Sequence, residues 1–136
     1  PSKAYAKISM RLVSNQDWKN ISSLFSDYMK KITPDSMEIK INEHHGGQPY
    51  LTSTDSKAYT AASKAYFEVF GKEPFAVKDG GSIPIIAQFE KELGVKTILM
   101  GFGLDSDAIH SPNEHFGLSN FLNGIETITN FYKFYK

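Results

Sequence analysis

The chain has 136 residues, 40% of them hydrophobic, and its 15 lysine and arginine residues balance 15 aspartate and glutamate residues. This zero net charge argues against nucleic acid as a partner, and the absence of cysteine excludes disulfides, a thiolate zinc site and a cysteine nucleophile. The absence of cysteine also fits a reducing, cytoplasmic setting. No apolar run reaches the length of a membrane span, so we expect a globular protein with no membrane partner.

The first third of the chain is predicted to form a β-α-β unit. Apolar and polar side chains alternate over residues 3–13, which indicates a half-buried strand. Apolar residues then recur at steps of three and four over residues 18–32, the spacing of an amphipathic helix. Alternation resumes over residues 37–41 and predicts a second strand.

A turn of two glycines and a proline follows this unit, and we place a domain boundary there, between residues 1–45 and 46–136. Beyond the turn, helices alternate with short strands, which predicts an α/β fold (mixed α+β) with a mostly parallel sheet. One helix is predicted from Asp55 or Ser56 to Gly71, a second from Pro84 to Gly94, and a third from near Leu118 or Ser119 onward. The predicted strands cover residues 75–77 and 95–100.

His110 lies in an acidic, glycine-flanked loop after the last predicted strand. Loops at strand ends converge in α/β folds and bind ligands there. The imidazole is therefore a candidate metal ligand, although the residues alone favour an ordinary loop histidine that is satisfied by Asp105, Asp107 or a backbone carbonyl. A hydrolytic metal site needs three or more protein ligands, and the sequence has no second cluster with ligand spacing. We therefore interpret the chain as part of a larger enzyme.

Three further features are candidate binding groups. The glycine turn at residues 79–82 precedes a predicted helix, where backbone N–H groups favour an anion, although Ser82 could simply cap that helix. Arg11 is either a residue at a sheet edge, which its pattern favours, or a cation that binds a carboxylate through two parallel hydrogen bonds. His45 precedes Gly46 and Gly47, and it either reaches a site or lies in solvent.

Four short motifs occur in an order that covers nearly the whole chain. They are AKISMRLV at residues 6–13, HGGQP at residues 45–49, GGSIP at residues 80–84 and HSPNE at residues 110–114. Together they resemble the C-terminal portion of the di-metal peptidase family that includes carnosinase, Cys-Gly dipeptidase, acetylornithine deacetylase and succinyl-diaminopimelate desuccinylase.

This resemblance implies a role for each motif. Residues 1–45 would be a partial lid and dimerisation domain, and residues 46–136 the C-terminal helix-strand layers of the catalytic domain. His110 matches the last ligand of a site for two divalent ions, zinc or manganese. The substrate-binding groups implied are the Arg11 guanidinium on the terminal carboxylate, Ser82 and Gly81 in the glycine turn, and His45 near the cleft.

The resemblance also implies that no catalytic residue lies within this chain. The family's other metal ligands, its glutamate base and its lid histidine belong upstream of Pro1, so the metal site is incomplete. The prediction is a piece of a cytoplasmic, homodimeric metallodipeptidase that hydrolyses small dipeptides or acyl-amino acids, inactive by itself. The alternatives are a non-catalytic short protein that uses the lid-like unit for dimerisation or partner binding, and a module that binds small carboxylates through Arg11 and Ser82.

Overall fold

The computed structural model describes residues 1–81 and 83–136, and Ser82 lies outside the described residues. The chain divides into two compact units. The first combines Pro1–Leu51 with Lys78–Thr97, and the second combines Thr52–Val77 with Ile98–Lys136. In chain order, the elements are α1 (Trp18–Ile32), α2 (Lys57–Phe70), α3 (Ile85–Leu93), a 3-10 turn (Asp105–Asp107) and α4 (Leu118–Tyr135).

Residues 1–81 and 83–136 contain no β-strand, so the prediction of an α/β fold (mixed α+β) with helix-strand layers is wrong. Apolar and polar residues alternate over residues 3–13, yet Ile8 and Met10, which lie on the apolar side of this pattern, are 57% and 46% exposed. One backbone hydrogen bond joins this segment to a distant part of the described chain: the Gly81 N–H donates to the Leu12 carbonyl at 2.8 Å. Alternation describes the two faces of one segment, whereas a sheet also requires neighbours that supply a hydrogen-bonded ladder in register.

The predicted helices are confirmed, and their ends follow the local signals. The Asp17 carboxylate caps α1 by accepting the Asn20 N–H at 2.9 Å. Ser56 caps α2 in the same way, by accepting the Tyr59 N–H at 3.1 Å. The helices α2 and α3 both end at a glycine in the left-handed conformation, Gly71 and Gly94. Such glycine caps carry no Cβ penalty, which is why they terminate helices so often.

The second unit is built on the packing of α2 against α4. The buried side chains of this helix pair are small: Ala61, Ala62 and Ala65 on α2, and Thr127 beside Gly124 on α4. Small side chains at the contact allow two helix axes to approach closely. The buried Thr127 hydroxyl donates to the Asn123 carbonyl at 2.7 Å and is therefore satisfied within its own helix. Among the described helices, none has both the length and the apolar character needed to cross a bilayer.

Candidate functional site

Two glycines bring the segment of Arg11 against the predicted anion-binding turn in the first unit. The Gly81 N–H donates to the Leu12 carbonyl at 2.8 Å. A Cβ added to Gly80 would lie 2.4 Å from the Arg11 Cβ, which is closer than real Cβ atoms approach. The backbone at residue 80 can therefore reach Arg11 only because it carries no side chain. Two of the segments that the sequence singled out as binding groups are thus neighbours.

The HGGQP turn joins the same cluster through its own glycines. A Cβ on Gly46 would lie 2.6 Å from the Trp18 Cε3 atom, and one on Gly47 would lie 2.3 Å from the Pro84 Cβ. Gly46 therefore seats the turn on the first residue of α1, and Gly47 seats it on the residue before α3. We call the cluster formed by residues 11–12, 45–49 and 80–84 the glycine-seated cluster, of which all but residue 82 is described.

A side-chain hydrogen bond also joins this turn to α1. The Gln48 amide nitrogen donates to one carboxylate oxygen of Asp17, while the other accepts the Asn20 N–H. The pKa of the Asp17 carboxyl is lowered, first by the Asn20 backbone hydrogen bond and then by the Gln48 amide, because both favour the ionised form. Asp17 is therefore both a helix cap and an anchor for the turn.

The charged groups of the cluster face solvent. Arg11 and His45 are both exposed. The guanidinium of Arg11 has no salt-bridge partner within residues 1–81 and 83–136. Asp79 accepts the N–H of the next residue, Gly80, at 2.7 Å. An exposed guanidinium without an ion pair can bind a carboxylate in a bidentate manner. Of the residues predicted to bind substrate, Ser82 is the one that lies outside the described part of the chain.

His110 belongs to the second unit, in a loop with an unusual backbone. His110 has a φ of 61°, and Ala108 and Asn113 share this left-handed conformation with φ values of 53° and 64°. Non-glycine residues rarely adopt it. The imidazole is exposed, and in the described part of the chain it makes no hydrogen bond, so neither aspartate of the loop holds it. A shallow recess of about 350 Å³ adjoins the loop, lined by Gly103, Leu104, Asp105, Ala108, Ile109 and Ser111.

Asp107 organises this loop from inside. Its side chain is 3% exposed, and its carboxylate accepts the Leu104 N–H at 2.8 Å. Its backbone carbonyl accepts the His115 N–H at 3.0 Å. The buried Asp107 therefore holds the chain both before His110, at Leu104, and after it, at His115. The sequence predicted Asp107 only as a partner for the imidazole, and the available signal for this other role was its place between two glycines, at residues 101 and 103, and Pro112.

An aromatic cluster supports the start of the loop. The Tyr66 hydroxyl donates to the Gly101 carbonyl at 2.8 Å, and its ring stacks on Phe102 with centroids 5.3 Å apart. Burial raises the pKa of Tyr66 above its ordinary value, since it disfavours the phenolate. The Phe102 ring lies against Gly124, where an added Cβ would be 3.3 Å away, and the Asn120 amide donates to the Phe102 carbonyl. The segment that leads to His110 is thereby fixed to both α2 and α4.

The described part of the chain does not form a complete metal site by itself. Within residues 1–81 and 83–136, no group of three or more His, Asp or Glu side chains is close enough together to hold an ion. His110 fits the role of a single ligand, since it is exposed and its imidazole is not engaged by the described protein groups. A two-metal site of the kind implied for the family therefore requires ligands beyond these residues.

Comparison with known proteins identifies relatives over nearly the whole chain. The model of peptidase family M20/M25/M40 matches residues 1–133. A Cys-Gly metallodipeptidase of Candida albicans is 33% identical over 140 residues, covering 99% of this chain and 28% of the relative. The human beta-Ala-His dipeptidase is 26% identical over 135 residues, covering 97% of this chain and 27% of the relative.

A solved structure agrees with these relatives. The structure of a di-peptidase from Saccharomyces cerevisiae matches with a TM-score of 0.72 at 27% identity, covering 89% of this chain and 26% of that one. The chain thus spans roughly a quarter of the length of the proteins it matches. The resemblance to carnosinase and Cys-Gly dipeptidase that the four motifs indicated is confirmed. With a family model that matches residues 1–133, the chain belongs to peptidase family M20/M25/M40.

Proposed function

We propose that this chain is the substrate-carboxylate clamp and one metal ligand of a metal-dependent dipeptidase. The enzyme would hydrolyse the peptide bond of small substrates with a terminal carboxylate, either dipeptides or acyl-amino acids. The relatives named as a Cys-Gly metallodipeptidase and a beta-Ala-His dipeptidase support this substrate class. The observation that carries the proposal is the approach of Gly80 to the Arg11 Cβ, which brings the arginine segment against the turn that precedes α3.

Arg11 provides the main carboxylate contact in this proposal. Its guanidinium is exposed and free of ion pairs in the described chain, and its planar fork matches the two oxygens of a carboxylate. The Gly81 N–H already donates to Leu12, so Gly81 contributes by holding the turn against the arginine segment. Ser82 is proposed as a second contact through its hydroxyl, and His45 as a group at the edge of the cleft.

His110 would bind one of two divalent ions, zinc or manganese, through its neutral imidazole. When bound, such ions polarise the scissile carbonyl and lower the pKa of the attacking water. The role of this chain is to hold the imidazole in the loop closed by Asp107 and to orient the substrate by its carboxylate. The remaining ligands and the general base are assigned to the rest of the enzyme.

The outer face of α4 supports a larger assembly. Leu118, Phe121, Leu122, Ile125 and Tyr132 are 73%, 53%, 56%, 52% and 65% exposed. An apolar face of this kind is expected to pack against another protein surface, which we assign to the rest of the catalytic domain. We further propose that residues 1–45 belong to a lid that forms a homodimer, in a cytoplasmic enzyme.

Reconstitution tests this proposal directly. The chain would be mixed with a polypeptide equal to the part of the Candida albicans relative that it does not match, together with zinc or manganese and the dipeptide Cys-Gly. We expect hydrolysis only in the mixture, with His110→Ala abolishing it and Arg11→Lys raising KM about tenfold, since a bidentate contact is lost. The control for His110→Ala is His115→Ala, which removes another exposed histidine near the same loop. The control for Arg11→Lys is Lys7→Ala, which removes another exposed cation from the same segment.

Two results would contradict the proposal. Hydrolysis by the chain alone would show that its metal site needs no further ligands. A folded, stable mixture without activity would favour instead the non-catalytic protein that uses its lid-like unit for dimerisation or partner binding. The state of the mixture would be established by circular dichroism and light scattering before activity is measured.

A further inference from the structure

The hydrogen bond between Asp17 and Gln48 links two parts of the first unit that are 31 positions apart in the chain. Asp17 is the N-cap of α1, and Gln48 lies in the HGGQP turn three residues after His45. None of the substrate or metal roles described above uses either side chain. Their pairing therefore needs its own explanation.

The turn has little freedom once this hydrogen bond is formed. Gly46 is already seated on the Trp18 ring and Gly47 on Pro84, each with no room for a Cβ. The Gln48 amide then anchors the outgoing end of the turn to the start of α1. His45 directly precedes these three anchored residues, Gly46, Gly47 and Gln48. Its backbone position is therefore determined by contacts to Trp18, Pro84 and Asp17.

The same unit fixes Arg11 by independent contacts. Leu12 accepts the Gly81 N–H, and Gly80 lies against the Arg11 Cβ. Gly81 also approaches Pro49, the residue after Gln48, since a Cβ added to Gly81 would lie 3.6 Å from the Pro49 Cα. The placement of the turn thus sets the placement of the His45 backbone with respect to the Arg11 backbone and Cβ.

We propose that Asp17 and Gln48 form a latch that positions His45 with respect to Arg11 for substrate binding. Both are positioning residues, since neither is assigned a contact with the substrate. The inference rests on the proposed function, because it assigns the latch to the carboxylate clamp of that site. An ionised carboxylate, the form of Asp17 at neutral pH, is a stronger acceptor for the amide than a neutral one would be.

A swap of donor and acceptor tests the latch. Gln48→Glu sets one carboxylate against another and breaks the hydrogen bond. Adding Asp17→Asn puts an amide donor at the Asp17 oxygen that Gln48 contacts and leaves the other oxygen to cap α1, since Asn and Asp are equally good N-caps. The double variant therefore restores an amide–carboxylate pair with reversed polarity. Gln88→Glu, at an exposed glutamine in α3, is the control for the added charge.

Trp18 reports on the latch in the full chain. It is the single tryptophan, and its ring lies under Gly46. We expect Gln48→Glu to shift the Trp18 emission to longer wavelength as the turn leaves the ring. The double variant and Gln88→Glu should both keep the wild-type emission. An unchanged spectrum in Gln48→Glu would overturn the latch.

The functional readout is the division between KM and kcat for Cys-Gly in the reconstituted mixture. We expect Gln48→Glu to raise KM about tenfold, because the substrate must then order a turn that the Asp17–Gln48 hydrogen bond holds in place beforehand. We expect kcat to be retained and KM to be restored in the double variant. A merely structural role would lower the amount of active enzyme, and hence apparent kcat, at an unchanged KM. If wild type is active but Gln48→Glu keeps its KM, the latch alone is refuted. If wild type is inactive in a folded mixture, the proposed function fails, and the inference that rests on it fails too.

Discussion

The two compact units place their candidate groups by different means. In the first, extended segments meet through glycines, and Arg11 is positioned by a backbone that approaches within a distance no Cβ allows. In the second, two helices pack through small residues, and the loop of His110 extends from an aromatic cluster on that pair. The first unit therefore depends on a few individual close contacts, and the second on a packed interface. Substitutions that add or remove single groups test this contrast.

The largest expected effect comes from filling the interface of α2 and α4. Ala65 is fully buried in the described structure, so Ala65→Leu adds methylenes where there is no space. We expect a loss of about 3 kcal/mol in the free energy of unfolding, the upper range for overpacking, measured by urea denaturation. Lys64→Leu changes the adjacent exposed position and should have little effect. Equal stability of the two variants would argue against tight packing at this interface.

The next effect is expected in the glycine-seated cluster. Gly47→Ala places a Cβ 2.3 Å from the Pro84 Cβ, so the turn must move. We expect destabilisation of about 2 kcal/mol, since the clash involves a rigid proline ring, and faster hydrogen exchange in residues 45–49. Gly101→Ala is the control, because nothing lies within 4 Å of the added Cβ there. If residues 45–49 exchange at wild-type rates in Gly47→Ala, the turn is not seated on Pro84.

A smaller effect is expected at Asp107. Asp107→Ala leaves the Leu104 N–H without its acceptor in a partly buried site, which costs about 1 to 2 kcal/mol. Asp107→Asn keeps a carbonyl oxygen and should retain most of that stability. Chemical shifts of the His110 ring should change in the alanine variant and not in Asp105→Ala, an exposed neighbour. Unchanged His110 shifts in Asp107→Ala would mean that the loop holds without the buried carboxylate.

The smallest effect is a dependence on acidic pH. The pKa of Asp17 in the folded chain lies below its ordinary value of 3.8, so its contribution to stability is present above pH 3.8 and is lost as the pH falls through the folded pKa. The backbone and Gln48 hydrogen bonds and the nearby Lys19 all lower this pKa. Trp18 emission should therefore change below pH 3.8 in wild type and lack this transition in Asp17→Asn. The same transition in both proteins would assign it to another group.

The predictions of secondary structure were correct where they depended on interactions between residues close in the chain, and wrong where they depended on contacts between distant segments. The helix ends were predicted correctly because Ser56, Gly71 and Gly94 each bond to backbone groups only three or four residues away. The strands were wrong because residues 3–13 have two faces but, among the described residues, form one backbone hydrogen bond to a distant segment and not a ladder. The family was correct because four motifs in order carry information that none of them has alone. The latch was missed because a side-chain bond across 31 positions leaves no local pattern.

The sequence by itself determined the helices, the family and the residues that carry charge, since each depends on local spacing or motif order. Tertiary structure alone decided which segments meet: Arg11 with the glycine turn, Gln48 with Asp17, and Asp107 with the backbone of its own loop. The physical reason is that helices satisfy their hydrogen bonds internally, whereas extended segments and loops satisfy theirs with partners that only folding supplies.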